Sequence, residues 1–290
     1  MSEEHPVHHG CINGKDNTRI LMKLRRYLRR VGYEGSVCPS PETLATLLRS
    51  HVLSIPFENL DVQLGVPVTN DVEAAFDKIV GRGGWCYEQN GLFGWVLSEI
   101  GFDVTRVAAA VRRAERGDAA LANHLCFLVR TPDDPESVYL ADVGFGGSMI
   151  EPIPLLASQH EQAPFRIGLR QLDDGHWQFR EKSGADTVSY DFLAEPGSEA
   201  AMSEKCTQLQ RDPNSSFILN LVAQKRTPET HIVLRGRVLT LNSTSGKQTR
   251  TLRSQAELAE TLKKTFQLDV PEATDLWERI VERHEILFGT

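Results

Sequence analysis

Cysteine is scarce and unpaired in this 290-residue sequence: Cys11, Cys38, Cys86, Cys126 and Cys206 lie far apart, with no CxxC or CxxxC spacing. An odd, scattered set is a poor disulfide framework and offers no zinc-ligand pair. Positive charge is also short. The 32 Lys and Arg stand against 39 Asp and Glu, a net charge of −7, whereas broad nucleic-acid binding wants a clustered basic footprint. No run approaches the roughly 18 apolar residues of a membrane-spanning helix. The opening Met-Ser-Glu-Glu-His-Pro is acidic and lacks the apolar core of a secretory signal. A cytoplasmic location is therefore expected, where thiols stay reduced and a lone cysteine is chemically usable. His5, His8 and His9 read as a flexible terminus rather than a metal tract. What is present is 40% apolar and 24% charged, the profile of a globular chain with a sizeable core and, at this length, about two domains.

Residues 18–100 read as helical. Ile20, Leu21, Leu24, Tyr27, Leu28 and Val31 recur at helical spacing before Gly32, with Arg25, Arg26, Arg29 and Arg30 on a solvated face. Ser40-Pro41 opens a second helix that carries Leu44, Leu47 and Leu48 inward. Asn70 with Glu73 predicts a capping box ahead of Val72, Ala75, Phe76, Ile79 and Val80. An amphipathic helix is predicted from about Cys86 to Ile100, with Leu92, Phe93, Val96, Leu97 and Ile100 on one face and Gly101 as its stop. The period then becomes that of strands, predicted at Val104–Val111, His124–Arg130, Tyr139–Val143, Phe165–Leu172 and His176–Glu181. Asp173-Asp174-Gly175 supplies a hairpin turn. A helix-like segment follows from Glu199, then strands near Thr230–Leu234, Val238–Leu241 and Gln248–Leu252. Two helices close the chain, the first opened by the capping box Ser254…Glu257. The expectation is an α+β chain in three blocks, helical (1–100), β (101–198) and mixed α/β (199–290), without internal repeats.

The most informative stretch is Arg82-Gly83-Gly84-Trp85-Cys86-Tyr87-Glu88-Gln89-Asn90. It leads a cysteine into the first turn of a helix, where unpaired N–H groups and the positive dipole end favour a thiolate. A free thiol is only a few per cent ionised at neutral pH, so efficient attack needs a nearby base or a lowered pKa. Cys86 alone could equally be an inert thiol at a loop-to-helix junction. His124 begins an apolar strand from which an imidazole can face a cleft. Asp142 ends another strand beside Gly144-Phe145-Gly146-Gly147. Thiol, imidazole and carboxylate are the parts of a Cys–His–Asp triad: nucleophile, proton shuttle and the group that fixes the imidazole tautomer. Singly, His124 could be an ordinary strand residue and Asp142 a turn-maker, and spacing does not show that the three meet.

Four motifs, in order, carry a resemblance that spans about residues 18 to 285. They are Ile55-Pro56-Phe57-Glu58-Asn59-Leu60, the Arg82–Asn90 stretch, Asn123-His124-Leu125 and Asp142-Val143-Gly144-Phe145-Gly146-Gly147. The sequence resembles the arylamine N-acetyltransferase family. That resemblance implies an N-terminal helical bundle, a central β-barrel and a C-terminal α/β lid around a cysteine-protease-like core, with Cys86 as nucleophile, His124 as base and Asp142 as orienting carboxylate. It also implies ping-pong transfer: acetyl-CoA acylates Cys86, and an arylamine, hydrazine or arylhydroxylamine nitrogen then takes the acetyl group. The backbone N–H of Cys86 is one candidate oxyanion donor. Asn123, Gly144, Phe145, Gly146, Gly147 and Phe217 are candidate substrate or CoA contacts, the glycine loop through N–H groups able to approach a pyrophosphate. Arg82, Glu88 and Asn59 are read as holding the cysteine loop, Cys126 as core, and Trp85 as a departure that touches the pocket lining. No metal, nucleic-acid or membrane partner is expected, and the chain is expected to be a monomer or homodimer. An amide synthase or thiol hydrolase with the same triad is the alternative enzyme reading. A binding protein without turnover is the non-enzymatic one, which the intact trio disfavours.

Overall fold

The computed structural model describes residues 17–289. Cys11 and the three N-terminal histidines lie outside the described residues. The first elements are α1 (Asn17–Val31), α2 (Pro41–Ser54), β1 (Phe57–Glu58), α3 (Leu60–Leu64), α4 (Val72–Gly81) and α5 (Cys86–Ile100). Next come β2 (Asp103–Val111), the single turn α6 (Arg113–Arg116), β3 (His124–Thr131), β4 (Asp134–Ala141) and β5 (Ile153–Pro154). They are followed by β6 (Ser158–Gln162), β7 (Phe165–Gln171), β8 (Trp177–Ser183) and β9 (Asp186–Phe192). The chain ends with α7 (Glu199–Arg211), α8 (Ser216–Leu219), β10 (Val222–Arg226), β11 (Thr230–Arg235), β12 (Val238–Ser243), β13 (Gly246–Thr251), α9 (Gln255–Phe266) and α10 (Trp277–Phe288).

The fold is α+β with two antiparallel sheets. The larger has eight strands in the order β5-β4-β3-β2-β9-β8-β7-β6. Where a barrel was expected, this sheet is a curled half-barrel whose edge strands β5 and β6 do not pair. The second sheet runs β1-β10-β11-β12-β13, so the short strand after α2 forms its edge, with Phe57 opposite Gln224 and Glu58 opposite Ala223. The main core lies between the N-terminal helices and the half-barrel, and a second core, including Leu234, Leu258, Leu262 and Phe266, lies under the smaller sheet.

Several local signals act as the sequence implies. The Ser40 side chain caps α2 by accepting from the Thr43 N–H at 3.2 Å, with Pro41 in the first turn. Ser254 caps α9 through the Glu257 N–H at 3.2 Å. Other expectations shift. Asp71, not Asn70, caps α4, because its carboxylate reaches the Glu73 N–H at 2.9 Å. Helix α5 is not amphipathic with one solvated side: Glu88, Gln89 and Asn90 are buried along with Leu92, Phe93, Val96 and Leu97. It is sandwiched between the helical layer and β3, so closely that a Cβ on Gly94 would stand 2.6 Å from the Phe127 ring. Strand β9 went unpredicted because Asp186, Thr187, Ser189 and Asp191 dilute the alternation of Val188, Tyr190 and Phe192. The polar β10 was missed for the same reason.

Candidate active site

Cys86 is the first residue of α5, and the turn before it is held from three directions. Glu58 N–H donates to the Gly84 carbonyl at 3.0 Å. The Gln89 amide donates to the same carbonyl at 2.7 Å and to Pro56 O at 3.1 Å. Glu88 reaches back to the Trp85 N–H at 3.2 Å, satisfying one of the open donors of the helix start. Lys78 donates to both Glu88 carboxylate oxygens at 2.8 and 2.7 Å, while Arg82 pairs with Glu58 at 3.0 Å and Asp61 at 2.5 Å. Two cations and three carboxylates thus clamp the loop from behind. Burial still pushes the Glu88 carboxyl up to about 7, against the pull of Lys78.

His124 begins β3, and its Nε2 lies 2.7 Å from Asp142 Oδ2, both residues buried. Asp142 stands just beyond the end of β4, and its other oxygen accepts from Asn90 Nδ2 at 2.9 Å and from the Gly144 N–H at 2.8 Å. Burial alone would raise this carboxyl. The charge and hydrogen bond of His124, with those from Asn90 and Gly144, outweigh it and hold Asp142 below the usual carboxylate range. Asn90 Oδ1 in turn accepts from the Val143 N–H at 3.0 Å. Asn90 is four residues after Cys86, on the same face of α5, so one helix positions both the thiol and the amide that fixes the carboxylate. The spacing was visible in the sequence, but its use was not. Gly144 lets the Asp142 loop close over the helix start: a Cβ there would meet the Cys86 carbonyl oxygen at 2.8 Å and its Cα at 2.9 Å.

Cys86 and His124 line one cleft of about 430 Å³ together with Phe145, Phe217 and Glu181. The His124 ring lies 5.3 Å from Phe145 and 5.2 Å from Tyr190, and Tyr190 stacks on Phe179 at 4.7 Å. Burial, reinforced by neighbouring Cys206 and then by Asp142 and Glu88, pushes the Cys86 thiol well above its ordinary pKa, with only the Tyr87 N–H opposing. Burial thus opposes the pull of the helix start toward a thiolate.

The family model described as N-acetyltransferase matches residues 40–275. The arylamine N-acetyltransferase of Mycolicibacterium smegmatis is 34% identical over 274 residues, covering 91% of this chain and 98% of its own. The chain belongs to the arylamine N-acetyltransferase family. Arylamine N-acetyltransferase 1 of Homo sapiens is 28% identical, covering 93% of this chain and 100% of its own. Among solved structures, the M. smegmatis arylamine N-acetyltransferase superposes with a TM-score of 0.80 at 32% identity over 89% of this chain and 97% of that one. The Mycobacterium marinum arylamine N-acetyltransferase, solved in complex with CoA, gives 0.80 at 30% identity over 90% and 97%. This family membership makes the protein an acetyltransferase.

In this N-acetyltransferase the remaining candidates separate by position. Gly144, Phe145, Gly146, Asn123 and Phe217 line the cleft. The Asn123 amide is already engaged with Val111, accepting from its N–H at 2.8 Å and donating to its carbonyl at 3.3 Å. Gly147 faces Val52 and Arg226 instead, and its carbonyl accepts from Arg226 Nε at 2.7 Å. The Gly146 carbonyl accepts from His231 Nε2 at 2.8 Å, so the smaller sheet fastens the glycine loop twice. Asn59 does not hold the cysteine loop. Its side chain ties down the segment bearing Phe217, donating to Phe217 O and Asn220 O at 2.9 Å and accepting from the Val222 N–H at 2.7 Å. Trp85 is fully buried behind the cleft, edge-on to Phe217 at 5.2 Å. Cys126 is in the core, as expected.

Proposed function

We propose that the protein acetylates arylamines, arylhydrazines and arylhydroxylamines from acetyl-CoA by a ping-pong mechanism through an acetyl thioester on Cys86. The observation that carries this reading is the buried 2.7 Å His124–Asp142 pair opening onto the same cleft as the Cys86 thiol. With Nε2–H donated to the carboxylate, Nδ1 is left as the base, an assignment made from the hydrogen-bond partners. His124 takes the Cys86 proton as sulfur attacks the thioester carbonyl. The imidazolium, stabilised by Asp142, then returns the proton to the departing CoA thiol. In the second half the amine nitrogen attacks the acetyl carbon, His124 accepts the proton that nitrogen loses, and Cys86 leaves with it as the thiol. The backbone N–H of Cys86 is the candidate oxyanion donor.

A second cavity of about 500 Å³ shares Glu181, Val188, Asn220, Val233 and Arg235 with the cleft and adds Arg237, Lys247, Arg283 and His284. We place the CoA phosphates among Arg235, Arg237, Lys247 and Arg283 and the acyl-bearing arm beside Gly144, Phe145 and Gly146. The test is intact mass after mixing with acetyl-CoA. The expected result is an acetyl adduct that an arylamine discharges and that Cys86→Ser does not form. No adduct, or equal adduct in the serine variant, overturns the reading. Discharge by water as fast as by amine favours a hydrolase.

A further inference from the structure

One acidic group in the cleft has no task in this mechanism. Glu181 lies on β8, two residues beyond Phe179, so the two side chains share a face and their positions are about 7 Å apart along the strand. Phe145 bridges the interval: its ring is 5.3 Å from His124 on one side and 5.8 Å from Phe179 on the other. Phe145, His124 and Glu181 line the same cleft, so an acceptor ring seated alongside Phe145 with its nitrogen at the imidazole shares that cleft with Glu181. Glu181 lines both the cleft and the adjoining cavity. Its Oε2 is buried without a hydrogen-bond partner, and Glu181 forms no ion pair among the described residues. Ser148 lies beside it and favours the ionised form, although the two do not meet in hydrogen-bond geometry. Burial, aided by the Asp142 charge and opposed by Ser148 and Arg226, pushes Glu181 up to about 7. A buried carboxylate oxygen with no donor is costly unless a ligand supplies one.

Resting on the acetyl-transfer reading above, we propose that Glu181 is an acceptor-recognition residue that receives a cationic or N–H-donating substituent on the end of the acceptor ring opposite the acetylated nitrogen. Amidine- or ammonium-bearing arylamines are the class it would select. In the ping-pong cycle CoA has departed when the acceptor enters, so the pantetheine arm and the acceptor use this wall in turn.

The test separates the two half-reactions. The acetyl-enzyme is formed first, which also checks that Glu181→Gln is folded. Its discharge by para-aminobenzamidine and by para-aminobenzamide is then timed in the original protein and the variant. The amidine-to-amide rate ratio is expected to fall about tenfold in Glu181→Gln, the size of one lost charge-assisted hydrogen bond. Comparing ratios cancels the different intrinsic nucleophilicities of the two amines. Benzamidine, which lacks the acetylated nitrogen, should slow discharge in the original protein competitively with the amine, and benzamide should not. An unchanged ratio, or benzamidine no more effective than benzamide, overturns the inference while leaving acetyl transfer intact. A variant slowed only in accepting acetyl from acetyl-CoA also overturns it, assigning Glu181 to the donor arm. Absence of any cysteine-dependent adduct overturns the underlying reading instead.

Discussion

Two histidines are buried on either side of helix α5, and their surroundings assign them different work. His51, on α2, contacts Tyr27 OH at 2.9 Å and Gln89 Oε1 at 3.1 Å, with its ring 5.5 Å from Phe93. Those partners are neutral. Burial drives its pKa down to about 3, despite the opposing Gln89 hydrogen bond, so it stays uncharged as a structural polar link. His124 has a carboxylate partner that is itself fixed by Asn90 and Gly144, and it faces the thiol's cleft. The adjacent amides Gln89 and Asn90 serve the two sides: one contacts an imidazole directly, the other holds a carboxylate that holds an imidazole. An imidazole's chemistry follows from whether its partner can stabilise the protonated ring.

The largest break in this contrast comes from removing the proposed base. His124→Gln should slow acetyl-adduct formation by about three to four orders of magnitude, measured in a single turnover. Loosening the carboxylate is milder. Asn90→Ala removes one bond to Asp142 and should cost roughly tenfold to a hundredfold in the same measurement. Asn90→Asp should not rescue it, because a second carboxylate would repel the first.

His51→Phe sharpens the other side of the comparison. It should leave adduct formation within about twofold but lower unfolding stability by about 2 kcal/mol at neutral pH, since buried partners lose their bonds. It should also flatten the acid dependence of stability. In the folded state His51 sits near 3 against an ordinary 6.5, so the unfolded chain binds the extra proton. Stability is therefore lost progressively as pH falls below about 6.5, and is unaffected by this group above it. His231, held near 4 chiefly by burial, adds to the same slope. Thermal unfolding midpoints across this range, with and without His51, measure the difference.

Much of the machinery was legible along the chain because it is encoded locally. Gly-Gly before Cys86, the glycine-rich run after Asp142 and the Ser254 cap are short-range features. Asn90 was legible as a residue but not as a partner of Asp142, since the two are 52 positions apart and meet only when β4 ends against α5. Glu181 sat unremarked in a strand of alternating charge, and its role depends on which face of β8 turns inward. The open edge of the half-barrel was also hidden, because strand periodicity does not say whether the first and last strands pair. Strand β1 went unread because two residues are too short to carry a period, although it joins the cysteine loop to the smaller sheet.

The most direct test of the central contrast is the single-turnover rate of acetyl-adduct formation in Asp142→Asn, which gives His124 a neutral partner like that of His51. With folding verified by an unchanged unfolding midpoint within a few degrees, the rate should fall at least about a hundredfold. A rate within about twofold of the original would contradict the account, since His124 would then act as a base without help from the carboxylate.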